Sequence, residues 1–242
     1  MSQSGPHAAR SNLTLRVISS TVMAPLTIAI AWFGGGPFVL FWTAAACIVL
    51  WEWTTIVRHS DRAGAASSIR FTAWMVAGLA YASVLLLAPV ILRRDPSFGF
   101  IAILFLFAVV WGTDIAAYFA ERAIGGAKLW PAVSPNKTWS GAIGGALAGL
   151  AAGLAVVKSA GLDVAPSLVL VALGLSVASQ AGDLIESALK RHFGAKDASQ
   201  LIPGHGGLMD RLDGFLTAVL AAVMVGLLHG GLDGAARGLL VW

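Results

Sequence analysis

Charge is scarce in this 242-residue chain: Asp, Glu, Lys and Arg together make up 12% of it, against 57% hydrophobic residues. A soluble globular domain carries roughly a quarter charged residues, so that class is excluded and an integral membrane protein is expected. Cysteine is nearly missing as well. The single Cys47 lies inside an apolar run, which excludes a disulfide framework or a cysteine metal cluster and leaves a small packing residue. No block of Pro, Ser or like charge is long enough to mark a linker, so one transmembrane domain over 13–242 is expected behind a polar tail over 1–12. A basic stripe with interleaved aromatics is lacking too, and the net charge of +4 therefore makes no case for nucleic acid. Lys and Arg cluster instead in short loops, as orientation signals and head-group ligands do.

Long apolar runs are plentiful. They predict spans over Val17 to Phe33, Phe38 to Val57, Phe71 to Leu92, Phe98 to Ala120, Gly141 to Val157, Ala165 to Lys190 and Leu208 to Leu228. The first has no small-residue cleavage site after a short core and is read as a retained helix, kinked at Pro25. The expected fold is thus all-α, a polytopic bundle of about seven transmembrane helices with its polar site at the cytoplasmic side. With the N-terminus cytoplasmic, twelve of the sixteen Lys and Arg face inward, leaving Arg93, Arg94, Lys158 and Arg237 outside. Gly34 to Pro37 reads as a tight turn, Arg122 to Ser140 as a loop, and Leu232 to Trp242 as a tail on the membrane surface. Gly141, Gly144, Gly145, Gly149 and Gly153 would let a neighbouring helix approach closely, in a homodimer or within one chain.

Eight of the 28 charged residues fall between Glu186 and Asp213. Asp183, Glu186, Ser187 and Lys190 recur at three- and four-residue intervals and share one helical face. Acids next to an apolar run are costly unless paired, hydrated or bound to metal. Asp183 is read as functional, Glu186 as half of a boundary pair with Lys190, and Glu52 as a boundary residue between Trp51 and Trp53. Asp114, Tyr118 and Glu121 form a second polar stripe on the fourth span. Pro203, Gly204, Gly206 and Gly207 allow close backbone approach to a ligand, as phosphate loops do. Asp210 and Asp213, three apart at a helix start, present two carboxylates to one point, which suits a hard divalent cation. Zinc is disfavoured, since His205 has no cysteine or spaced second histidine; magnesium fits. With Lys137, Lys190, Arg191, Lys196 and Arg211 as cationic donors, the mixture points to phosphoryl or nucleotidyl transfer. His205 is either a general base or a group that orients backbone. Intramembrane acids also mark ion pathways, so a transporter is the rival class, and a CTP-dependent polyprenol kinase is the rival enzyme.

The run Ser187-x-x-Lys-Arg-x4-Lys-Asp-x5-Pro-Gly-His-Gly-Gly-x-x-Asp-Arg-x-Asp213 resembles the signature of the CDP-diacylglycerol synthases, or phosphatidate cytidylyltransferases. Trp51-Glu-Trp53, Asp114-x-x-Ala-Tyr118 and Ser134-Pro-Asn-Lys-Thr-Trp139 resemble three further stretches of that family, so the likeness covers most of the chain after the first span. It implies a reaction of CTP with phosphatidate, giving CDP-diacylglycerol and pyrophosphate at a cell (inner) membrane. It also implies magnesium, with a monovalent cation beside it. Carried over by motif, Asp183, Asp210 and Asp213 would be metal-site acids. Lys137, Ser134, Thr138, Lys190, Arg191 and Arg211 would contact phosphate. Two positions depart from the family pattern: Ser140 stands where an acid is common, and Glu121-Arg122 replaces a usual glycine.

Overall fold

Apolar runs in hydrocarbon fold as helices because every backbone N–H and C=O must find a partner within the chain. The computed structural model describes residues 21–59, 68–201 and 206–242. Its helices are α1 (Thr21–Phe33), α2 (Gly35–His59), α3 (Ser68–Arg93), α4 (Gly99–Ala123), α5 (Trp139–Ser159), α6 (Pro166–His192), α7 (Met209–Gly230) and the short α8 (Ala235–Leu240). Six of them, α2 to α7, are long and apolar enough to cross a membrane. The first expected span is represented by α1, its residues 17–20 lying outside the described part with the polar tail and the 60–67 loop.

Three expectations change in detail. The loop over 122–140 contains an antiparallel ribbon, β1 (Lys128–Trp130) and β2 (Ser134–Thr138), with Lys128 opposite Thr138 and Trp130 opposite Ser134. A two-stranded ribbon is all edge, so Pro135 is tolerated in it. The turn over 34–37 shrinks to Gly34. There φ is +63°, and an added Cβ would stand 2.6 Å from Arg93 Nη2. α2 begins at Gly35, with Pro37 in its first turn, where no helical N–H partner is needed. Arg93 closes the corner by donating to Ala31 O (2.7 Å) and Trp32 O (3.0 Å), the last carbonyls of α1. Finally, α8 folds back on α7 and buries Ala235, Ala236, Leu239 and Leu240, with His229 Nδ1 2.9 Å from Gly238 O.

The glycine face of α5 packs against α4 within the chain, so it is not free to carry a dimer. A Cβ at Gly149 would stand 2.2 Å from Thr113 Oγ1 and 2.7 Å from Val109 O, and one at Gly153 would stand 2.5 Å from Val109 Cγ2. Polar bonds fix the neighbouring crossings: Thr113 Oγ1 to Ser176 Oγ (2.6 Å) joins α4 to α6, and Thr217 Oγ1 to Ala178 O (2.8 Å) joins α7 to α6. An aromatic layer lies at the centre, with Trp42 stacked on Phe215 at 5.0 Å and Phe107 on Trp111 at 4.9 Å. Replacing Gly149 by Val should therefore destabilise the protein by about 2 kcal/mol or more. Ala151→Val on the exposed side of the same helix should be neutral. Thermal unfolding of both variants in detergent checks this, and equal midpoints would contradict the packing.

Candidate active site

Small residues bring α6 and α7 together where the acids lie. A Cβ at Gly182 would stand 2.1 Å from Thr217 Oγ1, and one at Gly214 would stand 2.6 Å from Ser179 Oγ, so the helices cross almost backbone to backbone. That crossing sets the α6 face of Asp183, Glu186 and Lys190 against Asp210 and Asp213 at the start of α7. Lys190 Nζ bonds Asp210 and lies 3.1 Å from Glu186 Oε1. Lys137, reaching from β2, bonds Asp183, and Ser187 Oγ donates to the same carboxylate at 3.4 Å. Glu186 is 2% exposed and lies against Asp213; among the described residues its positive neighbour is Lys190. Asp114 of α4 completes the group, within electrostatic reach of Asp213, Asp183, Lys137 and Arg211.

Asp183 lies about 13 Å along α6 from its end, at about 1.5 Å rise per residue. The cluster therefore reaches well into the membrane-spanning part of α6 rather than lying only at its end. Every helix that supplies it does so from the same end: the later turns of α2, α4 and α6 and the first turns of α5 and α7.

The described end of the glycine loop, from Gly206 on, is organised by two carboxylates. Asp210 Oδ2 accepts from Ala198 N (2.9 Å) and Gly207 N (2.8 Å). Glu52, 0% exposed, accepts from Ser199 Oγ (2.5 Å), Leu208 N (2.9 Å) and Met209 N (2.7 Å). A side chain of α2 thus caps the N-terminus of α7, where orphan N–H groups and the helix dipole both favour an anion. Reading Glu52 as a boundary residue is corrected by this burial. The phosphate-loop reading of Gly206 and Gly207 changes too, since the N–H groups of residues 207–209 are already bound to carboxylates. Gly207 is needed for close approach, because its Cβ would stand 2.6 Å from Glu52 Oε1. Gly206 has φ +84°, which suits glycine.

The other expected site residues are spread around this centre. Thr138 is buried and caps α5, accepting from Gly141 N at 3.1 Å. Ser134 opens β2. Arg191 is exposed and donates to Ala195 O at 3.2 Å, while Lys196 is exposed on the loop after α6. Arg211 is exposed on the first turn of α7. Pro203, Gly204 and His205 lie outside the described residues. Ser140, where the resembling family often has an acid, bonds Gly125 O and Thr138 Oγ1. Glu121 fills the space beside it, since a Cβ on Gly141 would stand 2.4 Å from Glu121 Cγ, within reach of Lys137.

Among the described residues no three acidic, His or Cys side chains stand ready to hold a metal ion; Asp183 and Asp210 are paired with lysines instead. The donor chemistry nevertheless fits a hard cation. It is all carboxylate, and Glu186, Asp210 and Asp213 crowd around the single ammonium of Lys190, so a further positive charge would find partners there. Glu186 and Glu52 are the residues that sequence spacing undervalued, while Asp114 is already set on a polar stripe by its spacing. The available signal was an acid inside a strongly apolar run, which hydrocarbon does not tolerate without a role.

Residues 61–228 match the sequence profile of the Cytidylyltransferase family. A protein of Brucella suis biovar 1 named phosphatidate cytidylyltransferase is 42% identical over 253 residues, covering 89% of this chain and 94% of its own. A Brucella abortus biovar 1 protein of the same name is 41% identical with the same coverage. One from Bacillus subtilis is 44% identical over 126 residues, 52% of this chain and 47% of its own.

Proposed function

The chain belongs to the cytidylyltransferase family, and from that premise we propose the chemistry of its buried acid and lysine cluster. The protein is an integral membrane phosphatidate cytidylyltransferase. It condenses CTP with phosphatidate to give CDP-diacylglycerol and pyrophosphate. A phosphate oxygen of phosphatidate attacks the α-phosphorus of CTP, a new P–O bond forms, the bond to the β-phosphate oxygen breaks, and pyrophosphate leaves with the electron pair. No covalent enzyme intermediate is needed. The observation that carries the reading is the convergence of Lys137, Lys190, Asp183, Asp210, Asp213 and Glu186 at one end of an apolar bundle in a chain so similar to named relatives.

Lys137 and Lys190 would exchange their carboxylate partners for phosphate oxygens, and Arg211 would add a further donor at the mouth. Asp183, Asp213 and Glu186 would hold magnesium, with a monovalent cation beside it. Bound there, magnesium supplies charge neutralisation on the leaving pyrophosphate. Asp210 and Glu52 would keep the loop before α7 in register so that the α7 acids face the substrate. Twelve of sixteen Lys and Arg on one set of loops support a cytoplasmic N-terminus and active site, on the side where CTP is found.

Purified protein given phosphatidate, magnesium and labelled CTP should release pyrophosphate and form a lipid-soluble cytidine product. A chelator should reduce that turnover at least about a hundredfold, and added magnesium should restore it. Label recovered as CDP with a phosphorylated lipid would indicate a kinase, and absence of turnover on any phosphatidate would favour transport.

A further inference from the structure

A cavity of about 430 Å³ opens beside the acid cluster, between α2, α3, α6 and α7. Its walls are Trp53, Trp74 and Tyr81 on one side and Ile185, Ala188 and Leu189 on the other, and its floor includes Glu186 and Asp213. Ile185 is 63% exposed, so the mouth lies on the apolar exterior of the bundle, within the membrane-spanning part of α6. The inner end meets the proposed reaction centre. An occupant that reaches both has an oily part in the bilayer and a phosphate at the acids, which describes the lipid substrate.

The polar atoms of this cavity decide which part of the lipid it holds. Trp53 gives its Nε1–H to Trp74 O at 2.9 Å, and Thr217 gives its hydroxyl to Ala178 O at 2.8 Å. The Tyr81 hydroxyl is buried and has no hydrogen-bond partner among the described residues. The acids Glu186, Asp213, Asp210 and Glu52 lie within electrostatic reach of it, Glu186 foremost. A polyphosphate in this mostly apolar space would meet the carboxylates of Glu186 and Asp213, with His192 at its edge as the one ionisable base among the lining residues. A neutral carbonyl acceptor would satisfy the phenol at no electrostatic cost. In a phosphatidate the ester carbonyls lie only a few bonds from the phosphate, so both can be held in a cavity that Tyr81, Glu186 and Asp213 line together.

We propose that this cavity takes the glycerol ester region of the lipid substrate and that Tyr81 is a positioning residue, donating its hydroxyl to an ester carbonyl. The protein thereby distinguishes ester-linked from ether-linked lipid phosphates, because an ether lacks the carbonyl and leaves a buried donor unpaired. The inference rests on the proposed reaction with phosphatidate.

Its test compares diacylglycerol phosphate with the dialkyl ether of equal chain length, in mixed micelles with CTP and magnesium. The unaltered protein should show kcat/KM about tenfold higher for the diester, the size of one hydrogen bond. Tyr81→Phe keeps the ring that packs 5.4 Å from Trp53. It should lower the diester value about tenfold, through KM for the lipid. KM for CTP and all constants for the dialkyl lipid should not change, which a merely structural role of Tyr81 would not allow. Equal losses on both lipids, a shift in KM for CTP, or no change on the diester would overturn the assignment while leaving the reaction intact. Failure of the unaltered protein to use either lipid would overturn the reaction itself, and the inference with it.

Discussion

Asp213→Asn is expected to lower turnover by about a thousandfold while leaving the protein as stable as before, or more so. The two effects have one cause. The acids Asp213 and Glu186 lie in contact, Glu186 buried and Asp213 half-buried, and the ammonium nearest Glu186 is Lys190, which it shares with Asp210. Two acids held that close cannot both ionise without cost to folding; replacing one by an amide relieves that cost and keeps nearly the same volume. The same charge is what a divalent cation and the phosphates around it require, so catalysis is lost when the strain is relieved. Asp210→Asn should behave differently. That side chain ties Ala198 N, Gly207 N and Lys190 together, so its loss should reduce stability along with turnover. The check is parallel measurement of pyrophosphate release and thermal midpoint for the two variants. If Asp213→Asn kept more than about a tenth of the activity, Asp213 would be removed from the reaction centre.

Much of this site was legible in the sequence because helical periodicity is a local property. The intervals between Asp183, Glu186 and Lys190, and between Asp210 and Asp213, assign them to faces before any partner is known. Span positions follow from hydropathy in the same way. The ends differ by a few residues, as with Phe38 to Val57 against Gly35–His59, because helical hydrogen bonding continues past the point where residues stop being apolar. Partners distant in sequence were not legible. Glu52 receives its hydrogen bonds from positions some 150 residues away, and nothing within reach of Trp51 and Trp53 in sequence announces them. The glycines of α5 told a similar story: their spacing shows that some backbone comes close, but only the fold shows that it is α4 of the same chain. The β1–β2 ribbon escaped because its strands are short and one contains a proline.

Lys190→Met should produce the largest loss of stability of any single change at the site, together with loss of turnover. Lys190 is 8% exposed, and its ammonium serves both Glu186 and Asp210. Taking two carboxylates and a lysine out of water is costly in itself, so the triad adds little net stability compared with an apolar equivalent. Breaking it is another matter. Methionine would fill the space of the lysine stem but leave Glu186, Asp210 and Asp213 buried with one fewer positive charge, which costs about 3–5 kcal/mol when a single partner is removed. If that cost comes from the stranded acids, neutralising one of them should recover part of it. The double variant Lys190→Met with Asp210→Asn should therefore be more stable than Lys190→Met alone by at least about 1 kcal/mol, while turnover stays absent in both. Equilibrium unfolding in mixed micelles, run as a double-mutant cycle, measures the difference. A double variant no more stable than the single one would mean that Lys190 acts by packing its stem, and that charge compensation does not hold the ends of α6 and α7 together.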